Sequence, residues 1–247
     1  MTLMKTLSGA AAGLALCAGA AIAEPALIFD LGGKFDKAGG ETAQNIVRWN
    51  SGDDTWVPLG SGINGRVFSP EVHDGNLYAF GRFLGAGDVL TARNAARFDG
   101  TSWHELGAGT DQVIWTSARF YNELYVGGDF DSAGGFAANQ LARWNLDGGE
   151  WSDIGGIRRD FLPGVNAIAT NGRTLYVGGS FDTIAGIEAR NVARFDGADW
   201  SPLGSGVDNF IYEMAASEGK LFVAGAFTSA GSKPSIYFGI YYDPLLG

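Results

Sequence analysis

Leu124-Tyr125-Val126-Gly127-Gly128-Asp129-Phe130 returns almost unchanged as Leu175-Tyr176-Val177-Gly178-Gly179-Ser180-Phe181. Looser copies run from Leu77 to Phe83 and from Leu221 to Phe227, and Leu31-Gly32-Gly33-Lys34-Phe35 is the tail of a fifth. The closing residues Phe35, Phe83, Phe130, Phe181 and Phe227 stand 46 to 51 residues apart. Two further anchors keep the same period. Arg48-Trp49, Arg97-Phe98, Arg143-Trp144 and Arg194-Phe195 form one set, and Trp56, Trp103, Trp151 and Trp200 the other. Self-similarity at a fixed period of this length is the signature of a repeat architecture.

Each unit reads as four short strands, here called a to d. In the fourth copy, strand a covers residues 165–170, and Asn171-Gly172 supplies a hairpin turn. Strand b covers 174–181, a Gly-containing loop follows at 182–190, and strand c covers 191–196. Gly197 turns the chain into strand d around Trp200. Aromatic and β-branched residues bounded by Gly, Asn and Asp are the strand signal, and no helical period stands out beyond the N-terminus. A four-stranded unit of this length is one blade of a β-propeller, stacked with its neighbours around an axis. The expectation is therefore an all-β chain, a propeller of about five four-stranded blades, with four blades plus a hairpin as the alternative. Five b and five c strands but only four a and d strands imply incomplete first and last blades.

The order Leu-Tyr-Val-Gly-Gly, then Arg-aromatic, then Trp-x-x-Leu-Gly resembles kelch-type propeller repeats. The wording around Leu124–Trp144 is closer to secreted bacterial propellers, and is similar to the propeller of fungal cortical cell-polarity marker proteins. The resemblance spans residues 26–243 and implies ligand or protein binding through loops at one end of the ring. It departs at Ala79-Phe80-Gly81 and in the last unit, which lacks the Arg and the Trp.

The N-terminus has its own pattern. Lys5 precedes an apolar, small-residue run from Leu7, and Ala21-Ile22-Ala23 precedes Glu24-Pro25. This is the form of a secretory signal peptide, residues 1–23, leaving 24–247 as a single propeller domain. A membrane anchor is the weaker reading of so short a run. A lipoprotein signal would use Cys17, but Leu16 stands where a small residue belongs. The mature chain is expected to be exported, periplasmic or extracellular, with no transmembrane anchor, and monomeric.

Composition agrees with a globular core: 46% hydrophobic and 18% charged residues in 247. Glycine, at 39 residues, is roughly twice the usual share and marks turns. The net charge of −10 with no basic cluster argues against nucleic acid and anionic membranes. One cysteine permits no intrachain disulfide and no cysteine-based zinc site, and two histidines offer little for metal or general-base chemistry.

Residues repeated in every blade are read as structural. The four arginines, on strands packed between blades, should bond a carboxylate or backbone carbonyls nearby, and the four tryptophans should be apolar wedges between blades. Function should sit where the repeats differ, on the end carrying the b–c and d–a loops. The largest departure is 155–164, with Arg158, Arg159, Asp160 and Phe161 suited to an anionic or planar group. Arg66, Asp111, Asp208 and Phe210, with Glu188 and Arg190, share that end, and the unmatched Trp115 reads as a core variant. Asp36, Asp131 and Asp182 follow the closing Phe. They could ligate Ca²⁺ with nearby carbonyls, against the plainer reading of turn-stabilising Asp. No catalytic residue, resident metal or other cofactor is assigned. An Asp-box-like stretch, residues 51–56, is too short and occurs once.

Two function classes follow. The first is a binding module for a protein or glycan of the cell envelope. The second is a glycan hydrolase or lyase with paired carboxylates drawn from Asp111, Asp160, Glu188 and Asp208.

Overall fold

The computed structural model describes residues 27–158, 164–217 and 219–242, and every regular element among them is a β-strand. The longer strands form five antiparallel sheets in chain order, and short strands form four small sheets besides. Sheet 1 holds strands b, c and d: Ile28–Gly32, Ile46–Asn50 and Thr55–Pro58. Sheet 2 holds Arg66–His73, Asn76–Arg82, Ala95–Phe98 and Trp103–Glu105 as a to d. Sheet 3 repeats this with Ile114–Phe120, Glu123–Gly128, Leu141–Asn145 and Trp151–Asp153. Sheet 4 uses Gly164–Thr170, Leu175–Ser180, Val192–Phe195 and Trp200–Pro202. Sheet 5 has a, b and c: Ile211–Ser217, Lys220–Gly225 and Phe238–Tyr242. The chain is an all-β propeller. Its end sheets carry three strands each among the described residues, which matches the incomplete first and last units read from the sequence.

Strand alternation explains the repeated Leu-Tyr-Val-Gly-Gly. Successive side chains point to opposite faces, so Leu and Val face the preceding sheet while Tyr and the first Gly face the following one. Tyr78 and Phe80 thus pack on Leu124 and Val126. Tyr125 packs with Leu175 and Val177, and Tyr176 with Leu221 and Val223. Each junction is its own buried cluster, so the core runs as a series of interfaces rather than one central mass. The first Gly is required because the next inner strand presses on it. A Cβ on Gly127 would lie 2.2 Å from Val165 Cγ1.

The tryptophans wedge as expected, with a polar detail. Trp103, Trp151 and Trp200 each donate the indole N–H back to a carbonyl of the preceding unit, at Leu59, Leu106 and Ile154. The arginines find partners chiefly within their own sheets. Arg48 makes a two-pronged pair with Asp30 at 2.7 and 2.8 Å. Arg97 donates to Asn76, Arg143 to Ser152 and Glu123, and Arg194 to Ser201.

A second bridge was not expected from the sequence. Asn45, Asn94 and Asn191 lie three residues before the repeated arginines, in the left-handed region at φ 63°, 62° and 64°. Each accepts the backbone N–H of its own unit's closing Phe and donates across to the next unit's incoming segment. The acceptors there are Ile63, Thr110 with Gln112, and Val207 carbonyls. The signal was an amide-bearing residue three before each arginine.

The b–c connections hold small two-residue hairpins where loops were expected, such as Ser132–Ala133 with Phe136–Ala137 and Thr183–Ile184 with Ile187–Glu188. Among the described residues no helix is long and apolar enough to cross a membrane.

Candidate functional site

The four inner strands each carry one extra residue opposite the Gly-Gly pair of sheets 3 and 4 or its counterparts Phe80-Gly81 and Ala224-Gly225. The pairing shifts between Val67 and Ser69, Ile114 and Thr116, Val165 and Ala167, and Ile211 and Glu213. A bulge of this kind re-aims the inserted side chain. The inserted residues are Phe68, Trp115, Asn166 and Tyr212. The second Gly makes the bulge possible, since a Cβ on Gly179 would sit 2.1 Å from the Gly164 carbonyl oxygen.

Phe68, Trp115 and Asn166 line a hollow of about 210 Å³ between the inner strands, with Thr116, Glu213 and Met214. The Phe68 and Trp115 rings lie 4.8 Å apart at 57°. Trp115 is therefore a wall of this hollow. Two guanidiniums stand over the rings: Arg66 5.5 Å from Phe68 and Arg82 5.8 Å from Trp115. Arg66 and Arg82 are direct cross-strand partners. Like charges set opposite each other on a sheet cost stability, and neither makes an ion pair among the described residues. Arg82 also borders a larger, more open hollow of about 430 Å³, with Asn64, Leu84, Asp111 and Gln112. Arg82 thus lines the second hollow while its guanidinium stands over Trp115, a wall of the first. Asn166 donates to the Ile211 carbonyl, which fixes its amide at the far wall, and burial pushes the Glu213 carboxyl upward.

Below the hollow, Ser69 and Ser117 hydroxyls lie 2.8 Å apart, and the Ser69 hydroxyl accepts the Ser117 N–H. The Ser117 hydroxyl faces Glu71 at 3.4 Å. Burial pushes the Glu71 carboxyl up to about 7, against the opposing pull of Ser117 and Arg119.

The structure brings together Arg66 and Asp111 from the candidate set, around Arg82, which the sequence reading did not single out. Asp111 also works as a clamp: its Oδ1 accepts the Asp131 and Ser132 N–H groups. Asp208 does the same for Thr228 and Ser229, and the Thr228 hydroxyl, which donates to its other oxygen, holds its carboxyl well below the usual range together with those N–H groups. Asn64 holds Leu84 and Gly85 in the equivalent place. Glu188 and Arg190 are exposed on the b–c connection of sheet 4, away from both hollows. Phe210 is half-buried beside sheet 5. Arg158 is exposed and pairs with Thr183, extending a bridge that other units make at Ile63, Thr110 and Val207. Arg159, Asp160 and Phe161 lie outside the described residues, as does the 1–23 leader.

The Ca²⁺ candidates Asp36, Asp131 and Asp182 share one backbone role. Each carbonyl accepts the amide that closes its small hairpin, from Ala43, Ala138 and Ala189. The Asp131 carboxylate also accepts Gln140 Nε2 at 2.8 Å. Among the described residues no three His, Cys, Asp or Glu side chains gather in a way that could hold a metal ion.

Comparison with known proteins finds one family model that matches part of the chain. A model described as a domain of unknown function, DUF5122 β-propeller, matches residues 122–148 and 171–202. These stretches carry strands b and c of sheet 3 and strands b to d of sheet 4. The match supports a propeller protein. No curated protein matches. Among solved structures, the computationally designed Ika4 protein aligns at 10% identity with a TM-score of 0.48, over 74% of this chain and 95% of that one.

Proposed function

We propose that this chain is an exported binding module that recognises a protein or glycan of the cell envelope through the loop-bearing end of the propeller. One observation carries this reading: two aromatic rings and two guanidiniums without an ion-pair partner among the described residues gather beside two hollows. Rings of this kind stack on flat faces, and a guanidinium pair suits a carboxylate or a planar anion. An acidic glycan, with a sugar face for Phe68 and Trp115 and an acid group for Arg66 and Arg82, fits that chemistry best. The export half of the proposal rests on the leader pattern at residues 1–23. The hydrolase or lyase reading has less support, because the Asp111 and Asp208 carboxylates are engaged in holding backbone amides.

The test is a titration followed by tryptophan fluorescence. Acidic polysaccharides such as polygalacturonate should bind, neutral dextran should not, and Arg82→Ala should weaken binding at least about tenfold, the loss of one charge-assisted contact. Equal response to acidic and neutral chains, or an unaffected Arg82→Ala variant, would overturn this site.

A further inference from the structure

The two ends of the series of sheets present faces that every other sheet buries. On sheet 5, Phe222, Ala224, Phe238, Ile240 and Tyr242 share the face that in sheets 2 to 4 meets the next sheet. Phe238, Ile240 and Tyr242 are 53%, 42% and 66% exposed. On sheet 1, Phe29, Leu31 and Trp49 occupy the face that elsewhere meets the preceding sheet. Leu31 is 40% exposed, while its counterparts Val126 and Val177 are fully buried.

The sheet 5 face departs from the repeat at two positions that matter for docking. Where units 1, 2 and 4 have the bridging asparagine, unit 5 has Tyr237. Where the first four have the arginine, unit 5 has Ile240. Tyr237 keeps the backbone role, at φ 66° and bonded to Phe227 and Gly225, but its ring is in solvent. The two changes remove an amide donor and a charge from one face and leave it aromatic and aliphatic. The opposite face, on sheet 1, begins at strand b among the described residues. No inner strand there offers the carbonyl that an asparagine would bridge to. One face lacks the donor and the other lacks the acceptor, and both are apolar.

We propose that the sheet 5 face docks, head to tail, on the sheet 1 face of a second copy of this chain. Every junction inside the chain joins these two unlike kinds of face, four times over, so the new contact continues an interface the molecule already uses. The contact is heterologous, and it yields a ring if the rotation closes and longer strings if it does not. This replaces the monomer expected from the sequence.

The experiment measures mass in solution by light scattering at about 100 µM, well above the Kd of a stable contact. The full chain should exceed monomer mass. Ile240→Arg, whose charge would find Lys220 where Asn76 and Glu123 hold the arginines of sheets 2 and 3 and so enter the contact unpaired, should run as a monomer with an unchanged circular dichroism spectrum. Direction is read by cross-linking in a Cys17→Ser background. A mixture of Leu31→Cys and Phe238→Cys chains should form the mixed disulfide dimer, and neither variant alone should cross-link to itself in comparable yield. A monomeric parent, an Ile240→Arg variant of unchanged mass, or efficient self-coupling of Phe238→Cys would each overturn the proposal. Self-coupling would mean that like faces meet. Coverage of the face by another part of the chain would show as a monomeric parent in which Phe238→Cys resists modification.

Discussion

Asn45, Asn94 and Asn191 each combine a strained turn with a bridge between sheets. Few residues other than glycine tolerate φ near +60°, and asparagine does so while still carrying an amide. The Asn191 amide accepts one N–H and donates to one carbonyl, all buried. Asn191→Ala leaves both groups unsatisfied and should cost roughly 2–6 kcal/mol, since each buried orphan costs about 1–3 kcal/mol. Tyr237→Asn, at the matching but exposed position, should change stability by less than about 0.5 kcal/mol in the dissociated chain. Urea melts of the two variants check the contrast, and similar midpoints would refute it. Glu71 makes a prediction of a different kind. Its carboxyl, raised to about 7 in the fold from an ordinary 4.5, binds more protons folded than unfolded between those values. Stability should therefore fall as pH rises from 4.5 to 7. Glu71→Gln should flatten that slope and raise stability at pH 8 by up to roughly 3 kcal/mol, because each tenfold change in proton affinity corresponds to about 1.4 kcal/mol. A parallel slope in parent and variant would put the dependence elsewhere.

At the scale of the element, sheets 2, 3 and 4 are tied backward by an indole, and sheets 1, 2 and 4 forward by an asparagine amide. Trp103→Phe keeps most of the apolar wedge and loses the bond to the Leu59 carbonyl, a loss of about 1–3 kcal/mol because that acceptor stays buried. Trp56→Phe should cost much less, since Trp56 has no such bond to a preceding unit among the described residues. If thermal melts show equal losses, the carbonyl is not what the wedge holds. The bulge is the most sterically exacting part of the inner strand. Gly179→Ala drives a methyl into the Gly164 carbonyl and should destabilise by more than about 3 kcal/mol, as overpacking against backbone has no easy relaxation. Much of this was legible in the repeat: strand number per unit, the Gly-Gly pair, the indole wedges and the arginine position are all periodic, and a period is visible without coordinates. What could not be read was the product of the bulges. One inserted residue per inner strand sets Phe68, Trp115, Asn166 and Tyr212 apart from their neighbours; each stands 15 residues before its unit's closing Phe and three are aromatic, but strand alternation alone does not mark where the extra residue falls. Arg82 was hidden for a related reason. It sits inside the repeated motif itself, where a variant residue reads as drift rather than as a site.

At the scale of the whole molecule, stability is a sum over neighbouring junctions rather than a property of one core. The outer sheets each lack one junction. In the dissociated Ile240→Arg chain, amide exchange should be fastest in Lys220–Gly225 and Phe238–Tyr242 and slowest in sheets 3 and 4. In the parent, docking should slow exchange in Phe238–Tyr242 selectively. Uniform protection across all five sheets would contradict the junction-by-junction account. The ladders carry one more implication. Among the described residues every strand pairs with a partner close by in the chain, and no strand of the first sheet is hydrogen-bonded to the last. The indoles reach only toward units already synthesised. A chain built this way can acquire its structure progressively, unit after unit, as it leaves a ribosome or a translocation pore. No early segment has to wait unpaired for the final residues to arrive.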